Sequence, residues 1–178
     1  FKFGFDNTKS IDNNTCFIED WEGPINDNGN FAGELWFNMS KSAPKHCMLV
    51  SCRDSSVAFG GWNLHLVNRK LGLQVGDGIK WGGMSSSVGP DVVDGTWNHV
   101  AWVINNDTKQ VRIFFNGIMY ENVMNNAYLK ATNQISIGSF GTTQKYRYVG
   151  EIKNVALGLE LEFEKSEMKE LKSESFEQ

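Results

Sequence analysis

The stretch from Asp94 to Tyr120, DGTWNHVAWVINNDTKQVRIFFNGIMY, constrains this chain more than any other. Trp97, His99, Ala101 and Val103 fall on one side of an extended backbone, and Val100, Trp102 and Ile104 fall on the other. Both faces of this strand are therefore apolar, which places it in the middle of a sheet. A polar turn at Asn105 to Lys109 follows. Val111, Ile113 and Phe115 then alternate with Gln110, Arg112 and Phe114, and this second strand stops at Asn116-Gly117, a pair that readily takes positive φ. Two antiparallel neighbours joined by a tight turn are predicted here.

Similar alternation recurs along the chain. Phe1, Phe3 and Phe5 alternate with Lys2 and Gly4 as a half-buried strand. The segment Asp20 to Asn30, DWEGPINDNGN, gathers Pro, Gly, Asn and Asp and is predicted to be a long surface connection that either buries or exposes Trp21. GELWFNMS (33–40), HCMLVSC (46–52), WNLHLVN (62–68) and KLGLQVGD (70–77) read as further strands separated by glycine-containing turns. QISIGSF (134–140) and YVGEIKNVALG (148–158) close the series, joined by a polar, aromatic turn from Gly141 to Arg147. Earlier, after the 70–77 run, GIKWGGMSSSVGPDVVD (78–94) is too rich in glycine and serine to be core strand throughout, so it is a candidate binding loop. Only from Glu164 onward does the period change, with Met168 and Leu171 at helical spacing. A short amphipathic helix over 164–176, laid on a sheet edge or outer surface, is expected. About ten strands with one late helix predict an all-β fold, an antiparallel β-sandwich.

At 178 residues, with 40% hydrophobic content, residues 1–178 are expected to form a single domain. A net charge of −4 and four arginines argue against a nucleic-acid partner, which needs a concentrated basic surface. No apolar run approaches the roughly 20 residues of a membrane span, so no membrane insertion is expected. Cys47 and Cys52, as ends of one strand, would lie about 16 Å apart on opposite faces, too far to bridge. Cys16 could reach either, but buried free thiols are the stronger expectation.

DGTWNHVAWVINNDTKQVRIFFNGIMYEN resembles the central signature of laminin-G-like, concanavalin A-like jelly-roll domains, in which a Gly-x-Trp-x-His-Val-Ala strand precedes one ending in Asn-Gly. ISIGSF and VGEIKNVALG resemble later strands of that family in the expected order, and GELWFNMS an earlier one. The resemblance implies the concanavalin A-like jelly roll and an extracellular or particle-surface or cell-surface location. It leaves function open, because this fold carries many.

Catalysis finds little support. Hydrolases of this fold need two carboxylates about 5 to 9 Å apart, set by a Glu-x-Asp-x-x-Glu or Glu-x-Asp-x-Glu strand, and no such motif is present. The acidic run from Glu160 to Glu174 reads as a solvated helix face. His46, His65 and His99 lie in or beside strands, and no Ser or Cys sits in a nucleophile elbow. His46, Cys47 and Cys52 lack the spacing of a zinc set. The resemblance brings in calcium, for which Asp20, Asp27, Asn28, Asp77 and Asp107 are the candidate ligands. Their spacing is not that of a calcium loop, so turn chemistry accounts for them better and no cofactor is required.

Binding fits better. Sugar sites combine exposed aromatic rings with amide, carboxylate and guanidinium groups. Trp21, Trp62 and Trp81 stand next to glycines or in loops, whereas Trp36, Trp97 and Trp102 sit in strand patterns and read as core. His65, flanked by Leu64 and Leu66, can face a sheet surface. Tyr146, Arg147 and Tyr148 form a second aromatic and polar cluster. These seven residues (Trp81, Trp62, Trp21, His65, Tyr146, Arg147 and Tyr148) are the candidate glycan contacts. The leading expectation is a non-catalytic, lectin-like domain that binds glycans on cell-surface glycoconjugates or polysaccharide. It would serve as the attachment or recognition module of a larger, multivalent adhesin, viral spike or glycosidase. The alternative is a laminin-G-type protein-interaction domain without a sugar site.

Overall fold

The computed structural model describes residues 3–5, 9–10, 16–18, 30–54, 56–124, 126, 134–140 and 145–158. Thirteen strands and no helix occur among them. One antiparallel sheet contains β1 (Phe3–Phe5), β2 (Lys9–Ser10), β4 (Phe31–Met39), β9 (Trp97–Asn105), β10 (Gln110–Phe115), β11 (Ile118–Val123) and β13 (Gly150–Gly158). Its order is β1-β13-β4-β9-β10-β11, with β2 also paired to β13. The other, ordered β3-β12-β5-β6-β7-β8, contains β3 (Cys16–Ile18), β5 (His46–Cys52), β6 (Trp62–Val67), β7 (Lys70–Gly76), β8 (Trp81–Val88) and β12 (Ile135–Ile137).

The central position predicted for the Trp97 strand holds: β9 lies between β4 and β10. Asn116 and Gly117 take φ values of 50° and 80°, which lets β10 turn directly into β11 with Phe115 opposite Ile118. The core forms where the two sheets face each other. Leu35, Phe37, Val100, Trp102 and Ile104 from one sheet meet Leu49, Trp62, Leu64 and Leu73 from the other. Trp62 sits 5.1 Å from Phe31 and 5.7 Å from Trp102, ring centre to ring centre. Ala32, Val103 and Ala156 are buried as a separate small cluster, which explains why β9 is apolar on both faces.

Several expectations change. The 78–94 segment is part strand and part loop: Trp81–Val88 forms the edge strand β8, with residues 78–80 and 89–94 outside it. An edge strand pairs on one side only, so it tolerates glycines that a central strand would not. Here they are needed. Gly83 takes φ +91°, and an added Cβ there would run into the Leu73 carbonyl, next to the β7–β8 register shift between Leu71 and Leu73. Gly83→Ala is therefore expected to lower stability by about 1–3 kcal/mol, read as a drop in thermal midpoint. An unchanged midpoint would contradict this account of the bulge.

Strand β11, β2 and β3 were not apparent as alternating runs; the first is exposed, with Ile118, Met119 and Val123 more than half accessible. Cys47 and Cys52 are both buried, and both face the core. A bulge between Met48 and Val50 inserts one residue, which cancels the opposite facing that a regular strand would give them. Trp36 and Trp97 are each 36% exposed, on the outer face of the seven-stranded sheet and not in the core. The helix expected over 164–176 and Trp21 lie outside the described residues.

Candidate functional site

The outer face of the six-stranded sheet is polar, and its strands explain why. Inward positions of β6 and β7 are leucine, valine and tryptophan, so the alternate positions Asn63, His65, Gly72, Gln74 and Gly76 point away from the core. Met48 pairs with His65 and Ser51 with Asn63, which extends this face onto β5, and Ser51 pairs with Ser136 on β12. Side chains on such a surface would ordinarily be solvated. Instead Asn63, His65, Ser51 and Ser136 are almost wholly buried.

The cover comes partly from a group of aromatic side chains around Arg53, the residue that follows β5. Its guanidinium carbon stands 4.0 Å from the Trp81 ring centre and 4.4 Å from that of Phe140, a cation held between two π faces. Phe59 meets Trp81 edge-on at 5.9 Å. On the other side Tyr146 stacks on His46 at 4.2 Å and meets Phe140 edge-on at 6.1 Å. Gly76 makes this possible: a Cβ there would run into the Phe59 carbonyl and press on the Trp81 ring. Tyr146 itself is held at φ 53° and is 45% exposed.

The electrostatics of this face are one-sided. His65 Nδ1–H donates to Asn63 Oδ1 at 2.8 Å, and Asn63 Nδ2 donates to Gln74 at 3.5 Å. Burial, helped by the charges of His46 and Arg53, pulls the His65 pKa down to about 4, so its ring is neutral at pH 7. Burial lowers His46 as well. Arg53 is also disfavoured by burial, with Tyr146 acting in the opposite sense. None of the ion pairs among the described residues involves Arg53, and its Nε is buried without a hydrogen-bond partner. The Oγ atoms of Ser51, Ser136 and Ser139 are likewise unpartnered. A partly buried cation with no carboxylate beside it is costly unless an anion completes it.

The seven sequence candidates thus separate. Trp81, Tyr146 and His65 are brought together on this face, with the first two on its rim and His65 in its floor. Arg147 is exposed beside Tyr146 in the chain. Trp62 and Tyr148 are corrections: they are 0% and 1% exposed and belong to the core. A neighbouring glycine says where the backbone turns, and Gly61 (φ +79°) does turn the chain into β6, but the first side chain of that strand then points inward. Arg53, Phe140, Phe59 and Gln74 were missed. Arg53 carried one available signal, a scarce arginine at the end of an apolar strand.

Of the calcium candidates, Asp77 spends its carboxylate on the Ile79 and Lys80 amides and on Asn126 Nδ2, at 2.8, 2.8 and 2.9 Å. Those hydrogen bonds, the Asn126 one foremost, hold its pKa below the usual range. Asp107 accepts from Asn30 Nδ2 at 2.8 Å. The Ile79 and Lys80 bonds of Asp77 are turn chemistry, whereas its bond from Asn126 and the Asp107–Asn30 bond tie distant segments together. No group of three or more His, Cys, Asp or Glu able to hold a metal occurs among the described residues, and Asp20, Asp27 and Asn28 lie outside them.

The fold agrees with sequence comparison. The profile of the concanavalin A-like lectin/glucanases superfamily, in its laminin G form, matches residues 12–157, and the chain belongs to that superfamily. No curated protein matches the sequence. Among solved structures, domains LG4-5 of the mouse laminin alpha1 chain superpose with a TM-score of 0.66 at 13% identity, covering 86% of this chain and 41% of that one. The CBM40 of the Ruminococcus gnavus IT-sialidase, bound to alpha2,3 sialyllactose, gives 0.63 at 12% identity, covering 89% and 91%. The binding domain of botulinum neurotoxin serotype D gives 0.59 at 16%, covering 89% and 43%. The chain spans less than half of the laminin and toxin structures and nearly all of the CBM40. Such identities establish a shared fold.

Proposed function

We propose that the chain is a non-catalytic glycan-binding module that takes an acidic saccharide on the outer face of its six-stranded sheet. The observation that carries this is Arg53, a guanidinium held between Trp81 and Phe140 with no ion-pair partner among the described residues. A carboxylate or sulfate of a sugar supplies the missing anion, and the exposed edges of Trp81 and Tyr146 offer apolar surface for pyranose C–H groups. Arg147 extends the same rim. The sialyllactose-bound CBM40 supports a reading in which such a module recognises an acidic glycan. Localisation at an extracellular or particle surface, and a multivalent parent, follow the same reading.

Affinity for one module is expected at about millimolar to micromolar Kd, since polar groups exchange water for protein with modest net gain. Repeated presentation would raise it by avidity. Titration with 3′-sialyllactose, a sulfated oligosaccharide and plain lactose tests the reading. Arg53→Ala is expected to weaken the acidic ligand by roughly tenfold or more, the worth of one charge-assisted pair, and Trp81→Ala by a comparable factor. Equal binding of lactose and its acidic derivatives would refute the role of Arg53. Capture of a protein partner after complete deglycosylation, with no glycan bound, would replace the reading with a protein-interaction one.

A further inference from the structure

We propose that the outer face of the seven-stranded sheet carries a second saccharide site, built on Trp36 and Trp97 and continued by the polar cleft beside them, which takes an uncharged chain of hexose units. The proposal stands apart from the Arg53 face, which lies on the other sheet. Trp36 and Trp97 are large indoles left 36% exposed on adjacent strands. In the β4–β9 register Trp36 is opposite His99 and Asn38 is opposite Trp97, so the two indoles are diagonal neighbours within reach of one ligand. The His99 ring packs 5.0 Å from Trp36, and the Lys153 ammonium lies 4.1 Å from the Trp97 ring centre and 5.9 Å from that of Trp36. Both rings are thereby fixed in place at little further entropic cost on binding.

Beside them lies an open cleft of about 610 Å³ lined by Asn38, Ser40, Ser42, Asp94, Gly95 and Glu151. Hydroxyl, amide and carboxylate groups here can exchange hydrogen bonds with sugar hydroxyls. At Gly95 an added Cβ would meet nothing within 4 Å, so the cleft is open at that point. Most charged groups on this side already have a contact within the protein. Glu34 lies 3.5 Å from His99, Asp94 is paired to Arg69 at 2.8 Å, Glu151 accepts from the Asn38 amide at 3.4 Å, and Lys153 rests on the indoles. Two adjacent apolar rings flanked by hydroxyl and amide groups match the alternating C–H and hydroxyl surface of a neutral glycan.

Side-chain indole N–H resonances of the six tryptophans provide the test. Full-chain protein would be titrated with maltotetraose, cellotetraose and chitotetraose. With at least one of them, the Trp36 and Trp97 signals are expected to shift with a Kd of roughly 0.1 to several millimolar, while Trp62 and Trp102 stay still. Trp97→Ala is expected to weaken that binding about tenfold or more, a loss of about 1.4 kcal/mol, and Arg53→Ala to leave it within about twofold. Three results overturn the proposal: no shift with any tetrasaccharide, shifts confined to Trp81, or unchanged affinity in a folded Trp97→Ala protein.

Discussion

Replacing Trp102 by alanine is expected to remove about 3–5 kcal/mol of folding free energy, enough to unfold much of the population if the domain has ordinary stability. The side chain is fully buried between the sheets, tilted against Trp62. It lies over Gly33, where a Cβ would fall inside the indole, so the strand beneath has no side chain to move into the space. Nor can the strands close up, because Gly33 and Trp102 are paired in the β4–β9 ladder. Denaturant unfolding would show the loss as a lower midpoint at nearly unchanged slope. Trp97→Ala, five residues back along the strand on the outer face, is expected to cost about 1 kcal/mol or less. Equal losses from the two would mean that the indole in the core does not anchor it.

Acidification is the second large effect. His65 has a folded-state pKa of about 4 against an ordinary 6.5, so between those values the unfolded chain takes up a proton that the folded chain refuses. Its contribution is fully present above pH 6.5, falls as the pH drops through the window, and is lost by about pH 4. The depressed pKa corresponds to about 3 kcal/mol. His46, lowered by burial, acts in the same direction. Asp54 and Asp77, held below the usual carboxylate range by hydrogen bonds, titrate beneath this window and do not confuse it. Unfolding midpoints at pH 7.5, 5.5 and 4.5 would display the slope, and His65→Gln should flatten it. A wild-type curve level between pH 7 and 4.5 would show that His65 is solvated in the folded protein.

Much of the fold was legible because burial and strand geometry write the same period into the chain. The HCMLVSC run coincides with β5 end to end, and Asn116-Gly117 announced its turn by residue type alone. Strand β8 was obscured because edge strands can carry glycine and serine, and β11 because an exposed strand need not alternate. The site was only half visible. Trp81, Tyr146 and His65 could be nominated as isolated residues, but Arg53 and Phe140 gain meaning only when two loops distant in sequence meet over one face.

Alternating apolar positions by themselves determined two antiparallel layers with a central Trp97–Asn105 strand, and the Gly-Thr-Trp-Asn-His-Val-Ala motif with its Asn-Gly turn determined the superfamily. The tertiary structure alone decided which tryptophans are core and which are surface. Within one strand, alternation fixes that neighbours face opposite ways but not which way the other sheet lies, and a single bulge or a glycine-led turn reverses the answer. For that reason Trp62 fills the interior while Trp36 and Trp97 remain outside.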